Sequence, residues 1–188
     1  MKVEALTELE QLDQTGAIDL YYGDATGISQ TGYVPYAWQF REENLSIPVS
    51  QGKQLNCFAL IRRNNDCYFA TTKQAITAAY VLEQLDQFSF RLDKPTVVVL
   101  DQARVHTASK IKERLPVWQK RGLYVFYLPT YSPHLNITEI LWRFLKYYWL
   151  KPADYQSADS LFYAAKQALT AFGRELNITF GTFEYALN

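Results

Sequence analysis

Three acidic side chains occur where carboxylates could do chemistry, although long stretches of chain separate them. Asp24 ends the run DLYYGD, Asp101 ends the run TVVVLD, and Glu139 lies near the start of a helical pattern that follows LPTYSPHLN. Three carboxylates that meet at one point repel each other unless a divalent cation lies between them. Oxygen ligands of this kind suit Mg²⁺ or Mn²⁺. Two such ions can assist both the attacking and the leaving oxygen in a displacement at phosphorus, which is the chemistry of nucleases and strand transfer.

Each of these acids also has an ordinary structural explanation. An aspartate after a strand favours a turn, because its side chain hydrogen-bonds the nearby backbone. A glutamate in the first turn of a helix is stabilised by the helix dipole. The metal hypothesis therefore depends on the elements that would bring Asp24, Asp101 and Glu139 together.

The first part of the chain predicts one helix followed by an antiparallel meander. Apolar residues recur with helical spacing over residues 3–13. The apolar and aromatic run at 17–27 predicts a buried strand that ends at Asp24, where the glycines indicate a turn. Three further strands are predicted, at 33–40, 53–61 and 65–71.

The rest of the chain alternates helices with short apolar strands. The continuous β-branched run at 94–101 is typical of a strand covered on both faces, and 122–129 is a second buried strand. Helices are predicted at 72–90, 107–121, 137–150 and 158–175. A meander followed by this alternation indicates one α/β domain with a mixed central sheet flanked by helices. Side chains at strand ends project into the crevice of such a sheet, so Asp24 and Asp101 meet if their strands are neighbours.

Composition indicates one globular domain without a membrane partner. The 188 residues suit a single core, and 48% hydrophobic residues argue against disorder. No apolar run is long enough to span a bilayer. The acidic start of the chain lacks the pattern of a secretion signal, which predicts a cytoplasmic protein. Cys57 and Cys67 lack metal-binding spacing and are interpreted as reduced, buried residues.

The net charge is zero, but the charge is unevenly distributed. Residues 1–24 carry one base and six acids, a net of −5, whereas residues 102–151 carry nine bases and two acids, a net of +7. A neutral chain is not expected to bind nucleic acid by charge alone, because phosphate binding requires clustered lysine and arginine. Phosphate contacts are predicted in the basic segment, through Arg104, Lys110 or Arg114. Solvated helix faces explain each of these residues equally well.

Three stretches resemble the signature blocks of the DDE transposases of the mariner-like superfamily, most closely its bacterial insertion-sequence branch. They are YYGDATGISQTGYVPYAWQ, VVVLDQARVHTA and LYVFYLPTYSPHLNITEILWRFLKYYW, and the resemblance covers roughly residues 18–150. It implies a ribonuclease H-like fold on which Asp24, Asp101 and Glu139 form a catalytic triad that binds two Mg²⁺ or Mn²⁺ ions. The implied activity is hydrolysis at the ends of a DNA element followed by strand transfer to target DNA.

The resemblance also implies supporting roles for other residues. His106 matches a family histidine near the active site, and two interpretations are equally favoured. In the first interpretation, it contacts metal-bound water, phosphate or Asp101. In the second, it only packs at a helix start. Asn136 matches the residue that caps the helix of Glu139. Trp142 and Trp149 are expected to pack in the core, because large aromatics at helical spacing usually face inward.

The sequence departs from the family pattern at three positions. Gln102 replaces an asparagine, Thr130 stands where proline is common, and Ile137 replaces a proline suited to the first helical turn. The last change is expected to make the approach to Glu139 less rigid. None of the three removes a carboxylate.

Family members normally carry a helix-turn-helix region before the catalytic domain, and here few residues precede the first predicted strand. Three explanations are open: half of a split reading frame, a catalytic fragment, or a separately encoded helix-turn-helix polypeptide that recognises DNA. A homodimer is a further expectation. Two other functional classes also stay open. One is a catalytically silent DNA-binding or assembly subunit, and the other is a host nuclease like a Holliday-junction resolvase, which should lack the YSPHLN loop.

Overall fold

A five-stranded mixed sheet forms the centre of the protein. The computed structural model describes residues 2–30 and 53–181. The strands are β1 (Asp19–Ser29), β2 (Gln54–Ile61), β3 (Cys67–Thr72), β4 (Thr96–Leu100) and β5 (Leu123–Tyr127), in the spatial order β3-β2-β1-β4-β5. β1, β2 and β3 pair antiparallel, whereas β4 and β5 run parallel to β1. The predicted mixed sheet is confirmed, and the strand predicted at 33–40 lies outside the described residues.

Six α-helices flank this sheet in the described ranges. They are α1 (Lys2–Gln14), α2 (Ala78–Ser89), α3 (Arg104–Thr107), α4 (Ser109–Lys120), α5 (Thr138–Phe144) and α6 (Ala158–Ala171). α2 begins at Ala78 because the hydroxyl of Thr77 accepts a hydrogen bond from the amide of Tyr80 at 3.2 Å. The prediction therefore placed the start of this helix too early, at residue 72 instead of Ala78.

Two of the predicted helices differ from the structure in detail. The prediction at 107–121 corresponds to α4, and the short helix α3, which was not predicted, precedes it and is separated from it at Ala108 (φ −57°, ψ 149°). The prediction at 137–150 corresponds to α5 followed by a π-helical turn, Leu145–Trp149. None of the helices in residues 2–30 and 53–181 is long and apolar enough to cross a membrane.

The core consists of two layers, because side chains alternate between the two faces of the sheet. On one face, Leu20 and Tyr22 of β1 pack with residues of α1, α5 and α6. On the other face, Tyr21 of β1 and Val98 of β4 pack with residues of α2 and α4. Every residue of β4 is buried, as expected for a strand covered on both sides.

β1 does not end at Asp24, and the prediction of a turn there was wrong. The strand continues to Ser29 and pairs antiparallel with β2 over this added length. Pairing with β2 satisfies the backbone groups that a turn would otherwise satisfy. The glycine before Asp24 has a packing role, since a Cβ on Gly23 would lie 2.7 Å from side-chain carbons of both Leu60 and Leu100. Gly23 therefore marks a close contact inside the sheet.

Candidate active site

Asp24 lies in β1, and Asp101 directly follows the end of the neighbouring parallel strand β4. The last registered pair of the two strands is Tyr22 with Val99, and each aspartate comes two residues after its member of that pair. Because side chains alternate along a strand, Asp24 follows Tyr22 on the face that α5 covers. Asp101 is close enough to Asp24 to contribute to its raised pKa. The structure therefore brings together these two predicted residues, although only Asp101 comes after the end of its strand.

The start of α5 is fixed to β1 by two buried hydrogen bonds. The Thr138 hydroxyl donates to the carbonyl of Tyr22 at 2.8 Å, and the side-chain amide of Asn136 donates to the carbonyl of Gly23 at 3.0 Å. Asn136 Oδ1 also accepts the amide hydrogen of Thr138 at 3.1 Å, which is the capping role implied by the resemblance. Both side chains are buried. Because an unpaired buried polar group is costly, these bonds set the position of the helix against the strand.

Glu139 lies on the side of α5 that faces Asp24. Trp142, three residues later and therefore on the same side of the helix, donates Nε1–H to Asp24 Oδ2 at 3.0 Å. Trp142 is buried, as predicted, but its hydrogen bond to Asp24 was not foreseen. Glu139 itself is exposed to solvent. α5 thus places the exposed carboxylate of Glu139 beside the half-buried carboxylate of Asp24 on β1.

Burial and neighbouring charges alter the acidity of Asp24. Burial is the main cause that raises the pKa of Asp24 to about 6, and repulsion from Glu139 and Asp101 acts in the same direction. Hydrogen bonds from the Ala25 amide and from Trp142 oppose these effects. Asp24 therefore lies within electrostatic reach of both other predicted carboxylates.

His106 contacts the second aspartate. Its Nδ1 lies 2.5 Å from Asp101 Oδ1, and the amide of Ala103 donates to the same oxygen at 3.0 Å. The contact with His106 is the largest cause that lowers the pKa of Asp101, against the opposing effect of burial. His106 is 1% exposed and lies in α3, and its carbonyl accepts a hydrogen bond from the Tyr127 hydroxyl at 2.9 Å. The two interpretations of His106 are thus compatible, since it packs in a helix and also contacts Asp101.

The donor chemistry of the site fits a hard divalent cation. Asp24, Asp101 and Glu139 offer only carboxylate oxygens, which Mg²⁺ and Mn²⁺ prefer. A cation would also offset the repulsion that raises the pKa of Asp24. Across residues 2–30 and 53–181, however, no three histidine, cysteine, aspartate or glutamate side chains lie close enough to enclose one ion. Within these residues the three carboxylates approach one another without closing a three-residue site.

A cleft of about 370 Å³ opens beside Asp101. Residues 101–103 form one side of it and residues 128–133 form the other. The side-chain amide of Gln102 donates to the carbonyl of Leu128 at 2.7 Å, so the residue that replaces the family's asparagine joins the two sides. The Asp101 side chain is therefore accessible to solvent through this cleft.

The three basic residues predicted to contact phosphate have different surroundings. Arg104 in α3 and Lys110 in α4 are exposed. Arg114 instead forms a two-point ion pair with Asp86 of α2, with Nε 3.0 Å from Oδ1 and Nη2 2.8 Å from Oδ2. The hydrogen bond from Arg114 is the main cause that lowers the pKa of Asp86. Arg114 is thus engaged by Asp86, whereas Arg104 and Lys110 are the exposed members of the predicted set.

The sequence profile of one family, described as DDE superfamily endonuclease, matches residues 19–162. This range begins with β1 and ends within α6, so it includes all five strands and the three predicted carboxylates. No curated protein sequence matches the chain.

Solved structures of transposases and of a retroviral intasome have a similar fold. The Mos1 transposase paired-end complex with left transposon end has a TM-score of 0.53 and 15% identity, over 92% of this chain and 60% of that chain. The Mos1 mariner paired-end complex with Mn has a TM-score of 0.53 and 17% identity, over 89% and 47%. A simian T-cell lymphotropic virus intasome in complex with PP2A regulatory subunit B56 gamma has a TM-score of 0.51 and 12% identity, over 81% and 47%. The ribonuclease H-like fold implied by the sequence is confirmed, and the chain spans at most 60% of these longer chains.

Proposed function

The chain belongs to the DDE superfamily endonucleases, and from this membership we propose that it is the catalytic domain of a DNA transposase that uses Mg²⁺ or Mn²⁺. The observation that carries the proposal is the adjacency of Asp24, on β1, and Asp101, directly after the neighbouring parallel strand β4. The helix of Glu139 is hydrogen-bonded to the same strand. Membership of the bacterial insertion-sequence branch of the mariner-like superfamily is part of the same proposal.

Each residue of the site has a separate task in this function. Asp24, Asp101 and Glu139 hold one or two divalent ions, which when bound assist the attacking and leaving oxygens at phosphorus. His106 keeps Asp101 ionised and oriented through its Nδ1 contact. Asn136 holds the helix of Glu139 against β1. The cleft beside Asp101 admits the DNA strand.

The proposed reaction has two displacements at phosphorus. Water first attacks a phosphodiester at an end of the element and releases a 3′-hydroxyl. That hydroxyl then attacks a phosphodiester of target DNA and displaces a 3′-hydroxyl of the target strand. Because both steps exchange one oxygen for another at phosphorus, a single set of carboxylates serves both. One structure of similar fold is a Mos1 mariner paired-end complex with Mn, which supports the choice of cation.

DNA is the partner that this function requires, as element ends and as target. A Mos1 structure of similar fold is a paired-end complex with left transposon end. By analogy, we propose that two copies of the chain form a homodimer that holds two ends. A separately encoded helix-turn-helix polypeptide that recognises the element ends is a further part of the proposal.

A cleavage assay with Mn²⁺ tests the proposed function. We expect the wild-type protein to nick supercoiled plasmid DNA in Mn²⁺ and not in EDTA. Asp101→Asn should lower the rate about a thousandfold, because several kcal/mol of transition-state stabilisation depends on the metal ligands. Asp93→Asn is the matched control, because Asp93 is exposed and precedes the opposite end of β4. Equal cleavage by Asp101→Asn and the wild-type protein would remove the carboxylates from the mechanism.

A catalytically silent DNA-binding or assembly subunit is the second candidate. It is favoured by the finding that no three potential ligands in the described ranges enclose an ion. This candidate predicts that DNA binding needs no Mn²⁺ and survives Asp101→Asn. A wild-type protein that binds DNA in EDTA and cleaves none in Mn²⁺ would favour it over the enzyme.

The exposed basic residues give a prediction about DNA binding. Arg104→Gln and Lys110→Gln should each reduce the slope of log affinity against log salt by about one, since each lost phosphate contact releases about one counterion fewer. Arg114→Gln should leave the slope unchanged, because its guanidinium is paired with Asp86. Fluorescence anisotropy of a labelled duplex across a KCl series measures the slope. A wild-type slope in the Arg104→Gln, Lys110→Gln double variant would assign both residues to ordinary solvated surface.

A further inference from the structure

Tyr131, which lines the cleft beside Asp101, has two energetically unfavourable features. Its side chain is 97% exposed, and its backbone has a left-handed conformation with φ 59°. Residues with a Cβ seldom adopt this conformation, and an exposed ring gains no stability from burial. Tyr131 lines the cleft together with Asp101. Within residues 2–30 and 53–181, no hydrogen bond, ion pair or ring contact of the Tyr131 side chain explains why an aromatic residue occupies this position.

The loop that carries Tyr131 is fixed at both ends. Leu128 and Leu135 are buried on either side of it. The carbonyl of Leu128 accepts a hydrogen bond from across the cleft at 2.7 Å. Pro129 and Pro133 restrict the backbone between these anchors. Strained conformations that the surrounding structure enforces in this way cluster at ligand-binding and active sites.

We propose that the ring of Tyr131 stacks on an unpaired nucleobase next to the phosphodiester on which the carboxylates act. This inference rests on the proposed nuclease function and adds a contact to the base. Apart from Asp101, the residues that line the cleft are uncharged. Such a lining suits a flat, neutral base better than a phosphate, and a tyrosine ring is a flat surface on which any base can stack.

The base must be unpaired for this contact to form. A base within a duplex has both faces covered by its neighbours, whereas a base at a single-stranded end or beside a nick can offer one face to a protein ring. Because Tyr131 and Asp101 line the same cleft, the stacked base belongs to the nucleotide that adjoins the scissile phosphate. Tyr131 would therefore favour DNA that is opened at the cleavage position.

The test compares two Tyr131 variants on two DNA probes. Tyr131→Asn removes the ring and keeps a residue that tolerates the left-handed backbone, whereas Tyr131→Trp keeps a stacking ring. Tyr163→Asn is the matched control, because Tyr163 is an exposed tyrosine on α6, outside the cleft. One probe is a duplex with a single-stranded tail that carries 2-aminopurine at the first unpaired position, and the other is the blunt duplex. Affinity and 2-aminopurine fluorescence are measured in Ca²⁺, which binds oxygen ligands.

We expect Tyr131→Asn to weaken binding of the tailed duplex roughly 5- to 100-fold and to abolish the quenching of 2-aminopurine. Its affinity for the blunt duplex should equal that of the wild-type protein. Tyr131→Trp and Tyr163→Asn should keep both the affinity and the quenching. Unchanged affinity and quenching in Tyr131→Asn would overturn the inference, and so would an equal loss of affinity for both probes.

Cleavage in Mn²⁺ separates this inference from the proposed function. If Tyr131→Asn binds the tailed duplex like the wild-type protein while Asp101→Asn still abolishes cleavage, the stacking contact is wrong and the nuclease function stands. If the wild-type protein neither cleaves DNA nor binds the tailed duplex, both proposals are wrong.

Discussion

Replacing Asp24 with asparagine is expected to abolish DNA cleavage and to stabilise the metal-free protein. Loss of this proposed metal ligand should lower the cleavage rate about a thousandfold. Stability should rise because burial, and then repulsion from Glu139 and Asp101, raise the pKa of Asp24 to about 6. Asparagine has nearly the same shape, carries no charge, and can still accept the hydrogen bond from Trp142. The substitution therefore separates the chemical role of the carboxylate from its effect on folding.

The stabilisation by Asp24→Asn is expected to increase as the pH rises. Because the pKa of Asp24 rises from an ordinary 3.8 to about 6, the folded protein binds more protons than the unfolded chain between these values. The stability of the metal-free wild-type protein therefore falls as the pH rises through this window, and the loss is complete above it. Since one pKa unit corresponds to about 1.4 kcal/mol, Asp24→Asn should gain up to about 3 kcal/mol at neutral pH.

Urea unfolding in EDTA, in acid and at neutral pH, measures this gain. Asp93→Asn, at an exposed position, is the matched control for the substitution itself. Mn²⁺ should stabilise the wild-type protein and have less effect on Asp24→Asn, because the ion binds the folded state. An Asp24→Asn variant that is less stable than the wild-type protein at neutral pH would contradict the prediction.

The two neighbouring aspartates differ in what keeps them charged. His106 lowers the pKa of Asp101, so Asp101 contributes stability that is present above its ordinary pKa and is lost as the pH falls. Among the described residues, the main influences on the pKa of Asp24 include no basic side chain, and burial and two acids oppose its charge. A cation at the site would therefore stabilise the charged form of Asp24 more than that of Asp101.

Local sequence patterns predicted the elements that approach the site. The β-branched run before Asp101 predicted β4, because a strand buried on both faces needs continuous apolar residues. The end of β1 was predicted wrongly at Asp24. The glycines around Asp24 resemble a turn in the sequence, but pairing with β2 determines the backbone there. The position of a strand end thus depended on a partner strand distant in the sequence.

The contacts that fix the site join residues far apart in the chain. Asn136 and Gly23 are separated by 113 positions, and Thr138 and Tyr22 by 116. No local pattern predicts such a pair. Family resemblance pointed to Asn136 but not to Thr138. The hydrogen bond between Trp142 and Asp24 was also missed, although the three-residue spacing from Glu139 placed Trp142 on the same side of the helix.

Asn136→Ala is expected to lower both the stability of the protein and the cleavage rate of the folded molecules. It removes the donor to the Gly23 carbonyl and the acceptor of the Thr138 amide, and both bonds are buried. An unpaired buried group costs about 1–3 kcal/mol, so the loss of two partners should lower the free energy of unfolding by about 2–6 kcal/mol. The helix of Glu139 also loses one of its bonds to β1. Misplacement of a catalytic group by about 1 Å can lower the rate roughly a hundredfold.

The control for this prediction is Asn177→Ala, at an exposed asparagine, which should change neither stability nor cleavage. Urea unfolding measures the free energy of unfolding of each variant. Cleavage is then measured at saturating Mn²⁺ and well below the unfolding midpoint, so that all molecules are folded. If Asn136 only stabilised the fold, the folded variant would cleave DNA at the wild-type rate. A reduced rate in fully folded Asn136→Ala is therefore the result that assigns Asn136 to the positioning of Glu139.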